Sequence, residues 1–210
     1  MKHIFIGLFT ALSVSSAVLA DDVQITAEIP FIEIEIGDET ILIERIQDQD
    51  NHLEGDFTKT SRACPPFCIR PMEVSEGVIT VGELEVLNFL ETEVATKEGL
   101  LIDARIPSFY TKGTIPGSIN IPFNILAPDD NKYIGAILAA LGAADNGDDT
   151  WDFTNAKTLM LYCNGLWCGQ SPRAIKNLIS MGYPPEKLVY YRGGMQAWQS
   201  VGLTVFVPNQ

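Results

Sequence analysis

The first regular pattern in the chain is an alternation of apolar and acidic residues over residues 31–36 and 39–46. Successive side chains of a β-strand point to opposite faces, so this alternation predicts two strands that each have one buried and one solvated face. Gly37 and Asp38 lie between the two runs and favour a tight turn. The pattern therefore predicts a β-hairpin near the beginning of the chain.

From about residue 76 the apolar pattern switches repeatedly between the strand period and the helix period. Residues 159–162 form an unbroken apolar run, which predicts a strand covered on both faces, as in a parallel sheet. A helical stripe follows over residues 174–179 and ends before Gly182. Another strand is predicted at residues 187–191, and a closing helix at residues 195–201. Alternating strands and helices predict an α/β fold, a parallel sheet with helices on both faces.

The buried strand over residues 159–162 leads directly to a cysteine, Cys163, and then to a loop that reaches Ser171 and Pro172. A serine hydroxyl can cap a helix, and proline fits the first helical position because its missing N–H is not needed there. The loop is therefore predicted to close at a helix N-terminus, whose amides and dipole stabilise a thiolate or a persulfide. A buried and inert Cys163 is the alternative interpretation.

Three motifs within residues 76–208 resemble those of the rhodanese family of sulfurtransferases. They lie at residues 100–105 with 109–122, at residues 162–163, and at residues 192–198 with 202–203. The first resembles the family's Asp-x-Arg turn and “GHIPGA” segment, the second the strand end that carries the catalytic cysteine, and the third a C-terminal “GG…W…G” element. The resemblance implies a rhodanese-like fold with Cys163 as the catalytic residue. It also implies that Asp103 and Arg105 are structural or line the entrance to the site.

Two departures from the family pattern affect the expected chemistry. Thr114 stands where the family usually has a histidine, and the loop after the cysteine is two residues longer than usual. Gly169 and Gln170 stand where an arginine is expected, and residues 164–170 contain no cation. Related phosphatases need that arginine to neutralise charge on the phosphoryl oxygens, so phosphatase activity is not expected. The same absence weakens the case for thiosulfate, a small dianion, as the natural sulfur donor.

Residues 1–20 have the pattern of a secretory signal peptide, with Lys2, an apolar core over residues 4–12 and a cleavage-site pattern at residues 17–20. No later segment reaches the roughly 20 apolar residues of a membrane span. The formal net charge of −13 disfavours nucleic acid and anionic lipid surfaces as partners. We therefore expect a periplasmic or secreted protein with no membrane span in the mature chain.

Three segments are expected: the signal peptide at residues 1–20, a β extension at residues 21–75, and the rhodanese-like domain at residues 76–210. The extension contains the hairpin and a Cys-Pro-Pro-Phe-Cys loop. Four cysteines in an oxidising compartment favour disulfides. Cys64 and Cys68 are the expected structural pair, because they are local and lie in a proline-stiffened loop outside the rhodanese-like region.

Cys163 and Cys168 can also meet if the loop between them folds back. Cys168 would then be a resolving thiol that attacks a persulfide or a sulfenic acid on Cys163 and leaves a disulfide. The alternative is that Cys168 only packs inside the loop. The sequence alone does not decide between these two hypotheses.

The expected function is sulfur transfer through a persulfide on Cys163, held by the amides of the active-site loop. The active-site loop comprises Asn164, Gly165, Leu166, Trp167, Cys168, Gly169, Gln170 and Ser171. The expected partners are a small sulfur-containing donor, a thiol acceptor and, as a further candidate, a periplasmic redox protein. The mechanism requires no cofactor and no metal. The alternatives are a thiol–disulfide redox protein that uses Cys163 and Cys168, and a non-catalytic rhodanese-like binding module.

Overall fold

A computed structural model of the 210-residue chain describes residues 22–36, 39–128, 132–148 and 150–208. The predicted signal peptide, residues 1–20, and the predicted turn at Gly37 and Asp38 lie outside the described residues. Within the described part of the chain, no helix is long and apolar enough to cross a membrane.

The described residues contain nine β-strands and five α-helices. The strands are β1 (Phe31–Ile36), β2 (Glu39–Glu44), β3 (Ile79–Val81), β4 (Gly99–Asp103), β5 (Ser118–Asn120), β6 (Ala144–Asp145), β7 (Trp151–Asp152), β8 (Thr158–Tyr162) and β9 (Leu188–Tyr191). The helices are α1 (Glu83–Phe89), continued by a π-helical turn (Leu90–Val94), α2 (Pro107–Tyr110), α3 (Ile134–Ala140), α4 (Gln170–Ser180) and α5 (Gly194–Ser200). Short 3-10 helices lie at Gly55–Thr58 and Pro185–Lys187.

Five strands form a parallel sheet in the order β3, β9, β8, β4 and β5. The central strand β8 pairs Tyr162 with Asp103 of β4 on one side and with Tyr191 of β9 on the other. The carboxyl ends of three strands therefore meet at one edge of the sheet, and Cys163 follows the middle one. This arrangement confirms the predicted α/β fold.

Alternate residues of β8 enter two different hydrophobic cores. Leu159 and Leu161 pack with residues of α3 and α4 on one face, whereas Met160 and Tyr162 pack with residues of α1 and α5 on the other. These four side chains are at most 2% exposed, which explains the unbroken apolar run in the sequence. Trp198 of α5 is fully buried in the second core.

The N-terminal hairpin is antiparallel and presents one apolar face, as its alternating pattern predicts. Its register places Ile32 opposite Ile43. Ile32, Ile34 and Ile43 are buried in the same core as α1 and α5, whereas Glu33 and Glu35 are exposed. The hairpin therefore completes the core on this face of the sheet and leaves its acidic face in solvent.

Candidate functional site

Cys163 lies at the carboxyl end of β8, in a disulfide with Cys168. The two Cα atoms are 6.1 Å apart, because the intervening loop turns back on itself. The Cys168 N–H donates to the Gly165 carbonyl (2.8 Å) and closes this turn. Cys163 is 2% exposed and Cys168 is 5% exposed, so the disulfide lies just below the surface.

Helix α4 begins immediately after this loop, at Gln170, with Gly169 as its N-cap. The prediction that Ser171 caps the helix and that Pro172 occupies its first position was therefore wrong by two residues. Gly169 adopts the cap conformation itself, and the helix starts earlier. The first main-chain bond inside the helix runs from the Arg173 N–H to the Gly169 carbonyl (3.2 Å).

The N-terminus of α4 lies beside the disulfide, since the Gln170 Oε1 atom is 3.7 Å from Cys163 Sγ. The Gln170 and Ser171 N–H groups precede the first helical hydrogen bond, so they and the helix dipole favour negative charge at this end. Ser171 is 1% exposed, and its hydroxyl has no hydrogen-bond partner among the described residues. A thiolate released at this point would be electrostatically stabilised.

The Gly-Gly motif before α5 anchors the cysteine backbone. The Met195 N–H donates to the Cys163 carbonyl and the Gln196 N–H donates to the Asn164 carbonyl, both at 2.9 Å. Gly194 has a φ of +58°, and a Cβ atom there would overlap the Cys163 carbonyl. A side chain at Gly194 is therefore excluded both by backbone conformation and by space.

Asp103 and Arg105 form a buried ion pair next to the loop. Arg105 Nε donates to Asp103 Oδ1 (2.9 Å), and Arg105 Nη2 donates to Asp103 Oδ2 (2.6 Å) and to the Gly113 carbonyl (2.6 Å). Asp103 is 0% exposed and is structural, so it does not line an entrance. Arg105 is 2% exposed, lines the cavity and donates through Nη1 to Asn164 Oδ1 (3.2 Å). The ion pair thus positions the first residue of the loop.

Thr114, which replaces the family's histidine, belongs to the same buried network. Its hydroxyl donates to Asp103 Oδ2 (2.8 Å) and lies 2.6 Å from the Tyr162 hydroxyl. Burial and the nearby Asp103 carboxylate raise the pKa of the Tyr162 phenol. Tyr162 is therefore a neutral hydrogen-bonding group and does not act as a base near neutral pH.

The extension covers the outer side of the active-site loop. The Arg70 N–H donates to the Leu166 carbonyl (2.9 Å). The Arg62 guanidinium stacks 3.9 Å from the centre of the Trp167 ring, and Phe67 meets the same ring edge-on at 5.4 Å. Arg62 and Arg70 therefore bring two cations to a loop that has none of its own.

Gln196 ties the loop, α5 and the extension together. Its Oε1 accepts from Trp167 Nε1 (2.9 Å), and its Nε2 donates to the Phe57 carbonyl (2.8 Å). Gly165 packs closely under this side chain, because a Cβ atom at Gly165 would lie 2.9 Å from Gln196 Oε1. Leu166, by contrast, is 44% exposed and points away from the loop interior.

The Cys64–Cys68 disulfide is present, with Cα atoms 4.6 Å apart. The Phe67 N–H donates to the Ala63 carbonyl (2.9 Å) inside this small loop. The disulfide therefore fixes the segment that presents Phe67 to Trp167.

A cavity of about 1350 Å³ lies between the extension and the active-site loop. Four loop residues, Asn164, Trp167, Cys168 and Gly169, line it together with Gln170. Gln170 and Ser171, which were expected in the loop, belong to the first turn of α4. Cys168 is the cysteine of the pair that lines the cavity, whereas Cys163 is the more deeply buried one. Cys168 is therefore the cysteine of the pair that a small molecule in the cavity would contact.

His52 is exposed in the extension, where its ring contacts the Asp50 carbonyl. No group of three or more His, Cys, Asp or Glu side chains in the described ranges is arranged to hold a metal ion. The chemistry that this arrangement supports is thiol, disulfide and persulfide exchange.

Sequence reasoning did not identify Arg62, Arg70 and Gln196 as parts of the site. The only signal in the sequence was a cysteine-pinned loop in the extension, which does not indicate where that loop docks. Gln196 lies in the predicted closing helix, but nothing in the helical pattern marks its contact with Trp167.

A family model described as “Rhodanese-like domain” matches residues 85–201, more than half of the chain. An HTH-type transcriptional regulator of Mycobacterium tuberculosis is 29% identical over 108 residues, which are 51% of this chain and 38% of that protein. The chain thus matches well under half of the length of this curated relative. The activity of that regulator belongs to a longer protein and is not assigned to this chain.

Solved structures with a similar fold include a protein from Rhodopseudomonas palustris described as a possible tyrosine phosphatase (21% identity, TM-score 0.45, 63% of this chain and 88% of that one). A human single-domain sulfurtransferase is also 21% identical (TM-score 0.37), and the match covers 57% of this chain and 93% of that one. A thiosulfate sulfurtransferase from Pseudomonas aeruginosa is 21% identical (TM-score 0.40), and the match covers 61% of this chain and 20% of that one. None of these likenesses is close enough to assign an activity. The family match over residues 85–201, on the parallel sheet described above, shows that the chain belongs to the rhodanese-like domain family.

Proposed function

We propose that the protein transfers sulfane sulfur through a persulfide on Cys163, and that the Cys163–Cys168 disulfide is the resting form that reduction activates. The observation that carries this proposal is the position of the two sulfurs, at a strand end, beside the N-terminus of α4 and next to a cavity. Membership of the rhodanese-like family supports the same chemistry.

Activation begins at Cys168, because that residue lines the cavity. An incoming thiolate attacks the Cys168 sulfur, the disulfide breaks, and the electron pair leaves with Cys163 as a thiolate. The N-terminus of α4 favours this negative charge, which makes Cys163 the better leaving group. A second external thiol then releases Cys168, so two external thiols are oxidised to one disulfide.

The Cys163 thiolate then attacks the outer sulfur of a persulfide-type donor. The donor's sulfur–sulfur bond breaks, its electron pair leaves with the donor, and Cys163 carries the persulfide. An acceptor thiolate can take the outer sulfur and regenerate the Cys163 thiolate. In the absence of an acceptor, the Cys168 thiolate attacks the inner sulfur, re-forms the disulfide and releases hydrosulfide.

An oxidising compartment fits this cycle. All four cysteines of the chain are paired in disulfides. Such pairs persist mainly in secreted or periplasmic proteins, in agreement with the predicted signal peptide. We propose a periplasmic or secreted location, with a dithiol redox protein as the reductant.

The test compares the masses of the peptides that contain the active-site loop in three reduced proteins, after treatment with inorganic polysulfide and removal of excess donor. Cys168→Ser is expected to gain one sulfur atom on Cys163 and to keep it, since the resolving thiol is missing. Cys163→Ser is expected to gain none at the active-site loop. The wild type is expected to return to the disulfide form with release of one hydrosulfide per chain. If Cys168→Ser gains no sulfur on Cys163, although an alkylating agent modifies Cys163 in the same sample, the proposal is wrong.

A thiol–disulfide redox function is the second candidate, because the loop contains a disulfide with one sulfur next to a cavity. This function is tested by measuring the reduction potential of the Cys163–Cys168 disulfide in a glutathione redox buffer. A value above about −230 mV would support an exchanging pair, whereas a value well below about −300 mV would mark a structural bond.

A further inference from the structure

The cavity beside Cys168 is strongly basic, although the protein as a whole is acidic. Seven of the chain's 14 lysines and arginines line it, against two acidic residues, Glu54 and Asp56. The basic residues are Lys59, Arg62, Arg70, Arg105, Lys112, Arg173 and Lys176. In a chain with a formal net charge of −13, such a concentration of cations around one cavity selects for an anionic ligand.

Most of these cations are not neutralised by neighbouring carboxylates. Among the described residues, Lys59 pairs with Asp56 and Arg105 pairs with Asp103. The other five basic residues of the cavity have no ion pair in the described part of the chain. Their positive charge is therefore available to a ligand.

Two of the five cations have a buried N–H group without an acceptor. Arg62 Nε and Arg70 Nε are inaccessible to solvent and have no hydrogen-bond partner among the described residues. The Arg70 guanidinium lies against Gly169, where a Cβ atom would be 2.7 Å from Nη2, and the Arg62 guanidinium stacks on Trp167. An unsatisfied buried donor costs free energy, and a ligand oxyanion that draws either guanidinium towards the cavity would remove that cost.

The size of the cavity argues for a ligand larger than a small inorganic anion. Its volume of about 1350 Å³ exceeds the roughly 300–1,000 Å³ of typical small-molecule sites. Aromatic side chains contribute to its walls: Phe57, Phe67, Phe109, Phe123 and Trp167. The cations lie on both sides, with Arg62 and Arg70 on the extension and Arg173 and Lys176 on α4. A ligand with several separated anionic groups would use both sides at once.

We propose that this cavity binds an organic sulfur compound that carries two or more carboxylate or phosphate groups, with Arg62 and Arg70 of the extension holding its anionic end. This proposal rests on the proposed function, because it identifies the class of compound that brings sulfur or reducing thiol to Cys168. The extension thereby supplies the cations that the loop after Cys163 lacks. The site is thus built jointly by residues inside and outside the family match at residues 85–201.

The test uses the oxidised full chain and two phosphine reductants of nearly equal size. Tris(carboxyethyl)phosphine carries three carboxylates, whereas tris(hydroxypropyl)phosphine carries none. Reduction of each disulfide is followed by rapid alkylation and peptide mass spectrometry. The uncharged small disulfide bis(2-hydroxyethyl) disulfide serves as the reference for the intrinsic reactivity of each reagent, because Cys64–Cys68 lies between Arg62 and Arg70.

Charge preference is the ratio of the carboxylate reagent's rate to the neutral reagent's rate at Cys163–Cys168, divided by the same ratio for bis(2-hydroxyethyl) disulfide. We expect a preference of about tenfold or more at low salt. It should fall towards one at about 1 M NaCl, where the Debye length is only about 3 Å. It should also fall in Arg70→Gln and in Lys112→Gln, which removes an exposed charge without disturbing the fold.

Lys132→Gln is the matched control, because it removes one exposed lysine charge that is not part of the cavity. Its charge preference should equal that of the wild type. A wild-type preference near one at low salt would overturn the proposal. Failure of both phosphines to reduce Cys163–Cys168, while Cys64–Cys68 is reduced, would also overturn it, because the cavity would not admit a compound of this size. These outcomes do not depend on whether Cys163 accepts sulfur, so the two proposals can fail separately.

Discussion

Replacement of Arg105 by methionine tests the role of the buried ion pair. The side chains of Asp103 and Arg105 are 0% and 2% exposed, and Arg105 donates hydrogen bonds to Asp103, Asn164 and the Gly113 carbonyl. Loss of the guanidinium leaves the Asp103 carboxylate buried without its counter-charge. Removal of one partner from such a pair typically costs about 3–5 kcal/mol. For a chain of this size, a loss of about 4 kcal/mol corresponds to a decrease in Tm of about 8–16 °C.

Urea denaturation of the oxidised protein at pH 7 measures this loss as a change in the free energy of unfolding. The matched control is the double variant Asp103→Asn/Arg105→Met, in which no charge remains buried. We expect the double variant to be more stable than Arg105→Met by about 1–3 kcal/mol, because the uncompensated carboxylate is gone. If the double variant is as unstable as the single one or more so, the cost does not come from an unpaired buried charge, and the reasoning fails.

Two further predictions concern pH and the loop anchor. Burial raises the pKa of Tyr190 to about 12 and also raises the pKa of three other tyrosines (Tyr162, Tyr183 and Tyr191). Because the folded-state pKa exceeds the unfolded value, stability is complete below about pH 10 and decreases as the pH rises through about 10 to 12. Urea denaturation across this range should show the decrease, and phenolate absorbance that appears in the fully folded protein near pH 10 for all four residues would contradict it. Gly194→Ala should destabilise the protein by about 2 kcal/mol or more, because a left-handed backbone and an overlap with the Cys163 carbonyl combine. It should also slow sulfur loading of reduced Cys163, whereas a neutral effect on both would show that the Cys163 carbonyl is not held by this turn.

The sheet could be predicted because its sequence signal is local. The apolar run of residues 159–162 reflects burial on both faces of β8, and the alternation of residues 31–36 reflects the half-buried hairpin. The position of Cys163 follows from the end of that run. Each of these features is determined by residues a few positions apart.

The composition of the site could not be predicted, because it depends on contacts between distant segments. Arg70 meets Leu166 across nearly a hundred residues, and no periodicity connects them. The sequence shows that the loop itself contains no cation, but it does not show that Arg62 and Arg70 of the extension lie beside it. The cap of α4 was misplaced for a different reason, since Gly169 and Ser171 are both acceptable caps and the tertiary structure selected the glycine.

The isoleucine face of the N-terminal hairpin ties the extension to the rhodanese-like domain. Ile32, Ile34 and Ile43 pack in one hydrophobic core with residues of α1 and α5. These three residues lie outside the family match at residues 85–201, so the boundary of that match divides a continuous core. A fragment cut at the boundaries of the family match would therefore expose an apolar face of the core to water and lose the Arg62 guanidinium that stacks on Trp167. The unit that folds is therefore wider than the segment that the family model matches.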